Sequence, residues 1–412
     1  MMDNATSGSS PLTKTNISLK EPQKQVKRSS FLKDVLICSL GAYGGPEAHI
    51  SIFIDQLVTK KKYLTEEELI ELVALCSILP GPTSTQTIVA IGYKAGGPLL
   101  ALLTMLVWAL PVLVIMTTLS FLYEILTYLN ISTSGLRFIG PMAVGFIIIA
   151  AWRIGRKVAI DRFTIILLAV SALVTIFIRE PWVFPLILLA GGAAAIWISG
   201  ENKLWQGVKL DPPWRYLIIF AFLAVSGIVL TLVWDNKLIH LFESFYRYGY
   251  LVFGGGQVVV PVMHSDLVEL RQYMTAQEFL TGYGLVQGLP GPMFSFSAYA
   301  GGMAARGQGI LYQLIGAAAG GIGIFLPGLL LIYFIYPVWD RLRSLRGIKI
   351  ALRGINAVSG GMIAAAALVL MQKSGFTIEN IIVTTVTALL LLTRKVPAPI
   401  LVILAIAAGF LV

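Results

Sequence analysis

Glycine and proline interrupt two matching apolar segments of the chain, each time beside polar residues. The first interruption is Gly44-Gly45-Pro46-Glu47 with His49, and its later counterpart is Gly254-Gly255-Gly256-Gln257. Such residues should break a helix, and the freed backbone groups are tolerated in a membrane only where they face protein or a wet cavity. N–H groups at the start of a half-helix are partially positive and suit an anion. Close packing of helices through small residues is the alternative.

A second pair of interruptions adds hydroxyl and amide groups. Leu79-Pro80-Gly81-Pro82 precedes Thr83-Ser84-Thr85-Gln86, and Leu289-Pro290-Gly291-Pro292 precedes Ser295. Pro-Gly-Pro cannot continue a helix, but proline suits the first turn of a new one. Residues 83–86 would then present four side-chain donors and several backbone N–H groups, which a tetrahedral oxyanion can use without a metal ion. The alternative is a simple kink whose hydroxyls bond back to the helix.

Ionisable side chains near or within apolar segments offer a third kind of chemistry. Glu47 and His49 are candidates for a proton-linked pair, because histidine titrates near neutral pH. A structural hydrogen bond is the alternative reading of the same residues. Arg137 and Arg353 are candidates to attract an anion, although arginines near segment starts ordinarily extend to the interface.

Motifs for catalysis do not accompany these residues. The chain contains no Gly-x-x-x-x-Gly-Lys-[Ser/Thr] loop and no His-Glu-x-x-His helix, and its two cysteines lie in separate apolar runs. The sequence therefore predicts a protein that is not an enzyme, with no cofactor and no metal site.

The composition indicates whether the protein is soluble or lies in a membrane. Of 412 residues, 57% are hydrophobic and only 13% are charged, and the mean hydropathy is +0.81. Soluble domains are about 25% charged, so these figures exclude a soluble protein and indicate an all-α polytopic membrane protein. The net charge is +10, and the positively charged residues lie between apolar runs. This placement indicates membrane topology and no nucleic-acid partner.

Apolar segments follow one another almost without pause after a polar tail. We expect about 13 transmembrane segments, of which the first, second, eighth and ninth are interrupted and need not cross simply. They lie near residues 35–58, 69–93, 98–123, 136–152, 163–179, 182–199, 215–234, 239–262, 279–302, 309–336, 351–371, 376–393 and 397–412. Most lysines and arginines fall in loops on one side, which predicts a multi-pass inner (plasma) membrane protein with a cytoplasmic N-terminus. The lysines at 60–62 are the exception.

The chain matches itself when it is shifted by 210 residues. Both double glycines, both Leu-Pro-Gly-Pro runs and the pair Thr65 and Thr275 coincide, and a later shift of 216 places Arg137 on Arg353. This predicts a duplication with six segments in each half and one extra helix between them. The predicted organisation is a disordered cytosolic tail (1–30), a first transporter repeat (31–210), a linking transmembrane helix (211–235) and a second transporter repeat (236–412).

An odd number of crossings between equivalent points would turn the second repeat upside down relative to the first. Inverted repeats recur in secondary transporters, where broken or re-entrant helices form the substrate site at the repeat interface. A parallel repeat is the alternative, and it would require the segment at 215–234 not to span the membrane.

The motifs resemble those of the chromate ion transporter family in its long two-domain form. The resemblance rests on Gly44-Gly45-Pro46 with His49, on Leu79-Pro80-Gly81-Pro82-Thr83 with Gln86, and on Gly254-Gly255-Gly256-Gln257. It covers roughly residues 31–412. It implies a secondary transporter that exports chromate from the cytoplasm and confers chromate resistance, with sulfate as a candidate competitor or counter-substrate. Residues alone indicate an anion-suited carrier and do not identify chromate.

Alternatives remain open at this stage. The same broken helices are compatible with an exchanger or channel for sulfate or another oxyanion, driven by membrane potential, by ion coupling or by both. The expected partners are chromate and the lipid bilayer, and small-residue faces are compatible with a homodimer without requiring one.

Overall fold

The computed structural model describes residues 27–129, 134–178, 180, 182–201, 211–251, 259–342 and 345–411. Within these ranges the chain forms helices and connecting turns, with no β-strand. The predicted cytosolic tail lies outside the described residues, apart from its last four positions. Helical secondary structure is what apolar segments must adopt in hydrocarbon, because each helix satisfies its own backbone groups.

Seven helices make up the first half, a single helix follows, and nine make up the second half of the described chain. The first eight are α1 (Arg28–Gly41), α2 (Pro46–Phe53), α3 (Glu66–Ile78), α4 (Thr83–Tyr128), α5 (Ile139–Val158), α6 (Arg162–Phe177), α7 (Val183–Ser199) and α8 (Trp214–Val233). The others are α9 (Lys237–Leu251), α10 (Val259–His264), α11 (Ala276–Gln287), α12 (Phe296–Ala304), α13 (Ile310–Ile335), α14 (Trp339–Leu342), α15 (Arg346–Ser374), α16 (Ile378–Thr393) and α17 (Ala398–Leu411).

Long apolar helices are fewer than the thirteen segments expected from sequence. Five helical stretches in the described residues are long and apolar enough to cross a membrane: Thr83–Tyr128, Ser134–Val158, Trp214–Val233, Ile310–Val338 and Arg346–Ser374. Four shorter apolar helices accompany them: Arg162–Phe177, Val183–Ser199, Ile378–Thr393 and Ala398–Leu411. The count of thirteen spans therefore stays a prediction, while the all-helical fold with several apolar spans is confirmed.

The expected interruptions account for part of this difference. The first predicted segment is divided between α1 and α2, the second between α3 and α4, and the ninth between α11 and α12. Helix α4 has non-helical backbone at Gly96 and Gly97, so its two parts are separate helical stretches. Glycine and proline end each piece because neither continues a helix well.

Local geometry recurs between the halves at the predicted spacing of 210 residues. A π-helical turn, Ile54–Lys60, corresponds to another at Ser265–Leu270. The residues that follow these turns, Lys62 and Gln272, both have positive φ, at 54° and 51°. Helices α3 and α11 then begin with equivalent capping boxes.

Each half also closes a helix–break–helix hairpin with an ion pair. Glu68, near the start of α3, pairs with Lys94 at the end of the first stretch of α4. In the second half, Glu278 and Arg306 pair at 2.5 Å. Partial burial alone would raise the pKa of Glu68, but the Lys94 ammonium and the Thr65 amide together lower it below its usual value. These pairs hold the two arms of each hairpin together, so that the break between the arms has a defined position.

The last two helices of each half pack against a helix of the other half. Helix α6 lies along α15, and α16 lies along α5. Gly361 of α15 leaves no room for a side chain beside Ser171, and a Cβ at Gly145 of α5 would lie 2.9 Å from Thr387 Cβ. Gly145 and Gly361 are 216 residues apart, as are Ser171 and Thr387. The close approaches are therefore repeat-related, and they interlock the two halves.

Helix α8 stands at the periphery. It packs against α9 and α13, and Gly227 is its only buried residue. A helix so apolar and so exposed is typical of one that faces lipid. Helices α11 and α12 of the second-half hairpin are, in contrast, mostly buried.

Candidate functional site

The first break exposes backbone groups at the start of a short helix. Helix α1 ends at Gly41, and Gly44 and Gly45 both have φ of +90° before α2 begins at Pro46. Proline suits this first helical position because its missing N–H would have no intrahelical acceptor there. The structure does not describe the side chains of Pro46 and Glu47, so the proposed proton-linked pair is not tested.

The second break starts the first stretch of α4. Gly81 has φ of +128°, Pro82 caps the helix, and α4 begins at Thr83. The Gln86 side chain turns back, and its Nε2 donates to the Pro80 carbonyl at 2.8 Å. Its Oε1 is buried without a hydrogen-bond partner in the described structure. The break therefore presents a helix start and a buried amide oxygen at one place.

Side chains of the two first-half breaks meet directly. His49 Nδ1 lies 2.9 Å from Ser84 Oγ, and both residues are buried. The His49 ring also packs edge-on against Trp108, whose Nε1 donates to Thr85 Oγ1 at 3.1 Å. The start of α4 is thereby joined to α2 and to the second stretch of α4.

The second-half break reaches the same place. Gly291, with φ of +99°, donates its backbone N–H to the Ala42 carbonyl at 2.8 Å. A Cβ at Gly291 would lie 3.4 Å from Ser39 Oγ, and Ser39 donates to the Trp108 carbonyl at 2.7 Å. The Leu-Pro-Gly-Pro turn of one half therefore contacts the chain just before the double glycine of the other half.

Polar atoms near this junction lack partners. The buried hydroxyls of Ser295 and Ser297, just after Pro290-Gly291-Pro292, have no hydrogen-bond partner in the described structure. Buried polar atoms are nearly always satisfied in folded proteins, and unpaired ones call for an explanation such as a bound ion or water. The junction thus offers hydroxyl, amide and backbone groups, and among the described residues of the three breaks His49 is the only basic side chain.

The two arginines predicted as anion ligands lie elsewhere. Arg137 pairs with Glu379 at 2.6 Å, and Arg353 pairs with Asp161. Both are partly exposed, and their described partners are these carboxylates, not residues of the breaks. Gly254, Gly255, Gly256 and Gln257 lie outside the described residues.

Sequence reasoning missed two residues that join the site. Trp108 and Ser39 carry polar groups within apolar runs, which is the signal that could have drawn attention to them. Their partners lie 23 and 69 positions away, so no local pattern could have assigned those contacts.

Comparison with known proteins identifies the family. The model of the chromate transporter family matches residues 30–198 and again residues 239–410. The chain belongs to the chromate transporter family. The two matches fall on the two halves whose local geometry recurs. No solved structure matches the chain.

The similarity between this chromate transporter family member and its curated relatives extends over most of the chain. A chromate transport protein of Pseudomonas aeruginosa is 28% identical over 364 residues, which is 86% of this chain and 82% of the relative. A probable chromate transport protein of Synechococcus elongatus is 26% identical, over 90% of this chain and 92% of its own length. An uncharacterized transporter of Methanocaldococcus jannaschii is 25% identical over 98% of this chain and 99% of its own. Family and apolar helices together indicate an integral membrane transporter.

Proposed function

We propose that the protein is a secondary transporter that carries chromate, a tetrahedral oxyanion, out of the cytoplasm and so confers chromate resistance. Membership of the family and similarity to chromate transport proteins support chromate as the substrate. The membrane potential, alone or with a coupled ion, drives export. Sulfate, which has the same shape and charge, is the expected competitor.

The observation that carries the proposal is the junction of breaks from both halves. The hydrogen bond from Gly291 to Ala42 brings the second-half turn against the chain just before the first-half double glycine. The contact between His49 and Ser84 brings α2 against the start of α4. Helix starts and neutral donors stabilise an anion through partial charges. Because such contacts are weaker than full ion pairs, the anion can be released again, as transport requires.

The proposed topology is an inverted repeat of six segments in each half, joined by α8. Helices α6 and α16 are related by a shift of 216 residues, and the single apolar helix α8 lies between the halves. One additional crossing reverses the second half, and transporters built this way bind substrate where the repeats meet. The positive-inside rule then puts the N-terminus and the Asp161 end in the cytoplasm, in the inner (plasma) membrane, with Arg137 at the outer face.

The site is tested by substitutions at the first-half breaks. Thr83→Val removes a hydroxyl at the helix start, and Gly45→Leu places a side chain where φ is +90°. Each should reduce chromate flux in membrane vesicles to near background, with the protein still present in the membrane. Thr118→Val is the matched control, because Thr118 lies on the second stretch of α4 with an exposed hydroxyl bonded to the Val114 carbonyl. Wild-type flux in both site variants would overturn the proposed site.

Substrate and mechanism are tested in the same vesicles. Competition by sulfate, molybdate and phosphate ranks the oxyanions. Saturation at low chromate and countertransport from preloaded vesicles are expected of a carrier. Flux that rises without saturation would instead identify a channel.

A further inference from the structure

A polar cavity lies between the two halves, away from the junction of the breaks. Its volume is about 390 Å³, equal to roughly a dozen water molecules at about 30 Å³ each. Tyr123 from the end of α4, Arg137 before α5, Thr281 from α11 and Asn380 from α16 line it. A hydrated tetrahedral anion fits such a space.

The lining groups suit an anion. Arg137 supplies a guanidinium, and Gln277 and Asn380 supply amides. Thr281 is fully buried, yet its hydroxyl has no hydrogen-bond partner in the described structure. An unpaired buried hydroxyl in the wall of a polar cavity is a ready donor to a bound oxygen.

The guanidinium of Arg137 is already paired with a carboxylate of the protein. Glu379 Oε2 accepts from Arg137 Nη2 at 2.6 Å, and Glu379 lies in the first turn of α16, where the helix dipole favours negative charge. Glu379 is about half exposed, so the pair is of the kind that contributes little stability and exchanges readily. The carboxylate offers Arg137 the same oxygen ligands that an oxyanion would.

Helix α11 connects this cavity with the proposed transport site. Gln277 and Thr281 line the cavity from its first turns, and the helix ends at Gln287, just before the turn that contains Gly291. One helix therefore links the wall of the cavity to the turn that contacts Ala42.

We propose that this cavity is an outer vestibule that binds the oxyanion in competition with Glu379. This rests on the proposed function for its substrate and its orientation. Arg137 holds Glu379 when the vestibule is empty and holds the anion when it is occupied. Glu379 thus acts as a built-in competitor that keeps the outer site weak, so that an exported anion leaves.

The experiment measures exchange of radiolabelled chromate presented to the outer face of right-side-out vesicles. Glu379→Gln should lower the KM for outer chromate by about two- to fivefold, the range set by exposed ion pairs. Arg137→Gln should raise it by about tenfold, because it removes a charge-assisted donor. Glu124→Gln is the matched control, because it removes the same charge next to Tyr123. Glu124 accepts a hydrogen bond from the Gly307 N–H and does not line the cavity.

Two results would overturn the vestibule. One is an equal fall in KM for Glu379→Gln and Glu124→Gln, which would reflect surface charge alone. The other is an unchanged KM for Arg137→Gln. Equilibrium binding of chromate to the purified full-length protein repeats the comparison without transport. Arg137-dependent binding without any flux would contradict the proposed transport, whereas flux without Arg137 dependence would contradict the vestibule.

Discussion

Single residues at the breaks combine a backbone role with a contact between the halves. Gly291 has φ of +99°, in the left-handed region that side chains disfavour, and its N–H bonds to Ala42. Val112 and Ser39 lie close to the position that its Cβ would take, at 3.2 and 3.4 Å. The glycine is therefore required both by the turn and by the neighbouring helices.

We expect Gly291→Ala to abolish most chromate transport. Alanine at this φ costs roughly 1–2 kcal/mol, and its methyl group would press on the wall of the site. Gly309→Ala is the matched control, because Gly309 has φ of +96° with nothing within 4 Å of its Cβ. Both variants should lose similar stability in detergent, and only Gly291→Ala should lose flux. Equal loss of flux in both would assign the effect to backbone strain alone.

Residue types at the breaks could be predicted from sequence, whereas their partners could not. The run Pro80-Gly81-Pro82 is predicted to interrupt a helix, because the reason is local sterics. The contact between His49 and Ser84 depends on how two helices approach in space, and no local rule gives that approach. The structure also pairs Arg137 with Glu379, 242 positions away, where sequence reasoning weighed only an anion or the interface.

Helices of the two halves are interlocked by their final pairs. The hairpin of α6 and α7 packs on α15, while α16 packs on α5. The apolar runs of the sequence predicted that these segments exist, but in lipid an apolar face does not identify its neighbour. Small residues permit close approach on many faces, so the crosswise arrangement could not be read from the pattern.

We expect Gly361→Ala to destabilise this arrangement. Its methyl group would meet Ser171 Oγ and the Leu168 carbonyl, and overpacking of this kind costs about 1–3 kcal/mol. The apparent melting temperature of the detergent-purified protein should fall. Gly155→Ala on α5 is the control, since nothing lies within 4 Å of that Cβ. It should leave the melting temperature unchanged or raise it, because alanine favours a helix by up to about 1 kcal/mol. An equal fall for both variants would argue against close packing at Gly361.

At the scale of the whole molecule, the proposed anion site lies in a setting poor in charge. Only 13% of residues are charged, and in the described structure Lys94, Arg137, Arg306 and Arg353 are each paired with a carboxylate. An anion held by neutral donors and helix starts keeps its own charge during transport. The membrane potential then acts on that charge directly.

We expect chromate export to persist when the pH gradient is collapsed and the membrane potential is kept. Moving one charge through 100 mV is worth about 2.3 kcal/mol, so an inside-negative membrane favours exit of a dianion by about 4.6 kcal/mol. At about 1.36 kcal/mol for each tenfold ratio, this sustains roughly a thousandfold outward gradient without ATP or a coupled ion. The measurement is chromate efflux from preloaded cells, with ionophores that remove either gradient separately. Collapse of the potential alone should stop efflux against a higher outside chromate concentration, because only flux down the concentration gradient then remains. If collapse of the pH gradient alone stops chromate efflux, protons are coupled to transport. The group to follow is then His49, which is buried against Ser84 at the junction of the breaks.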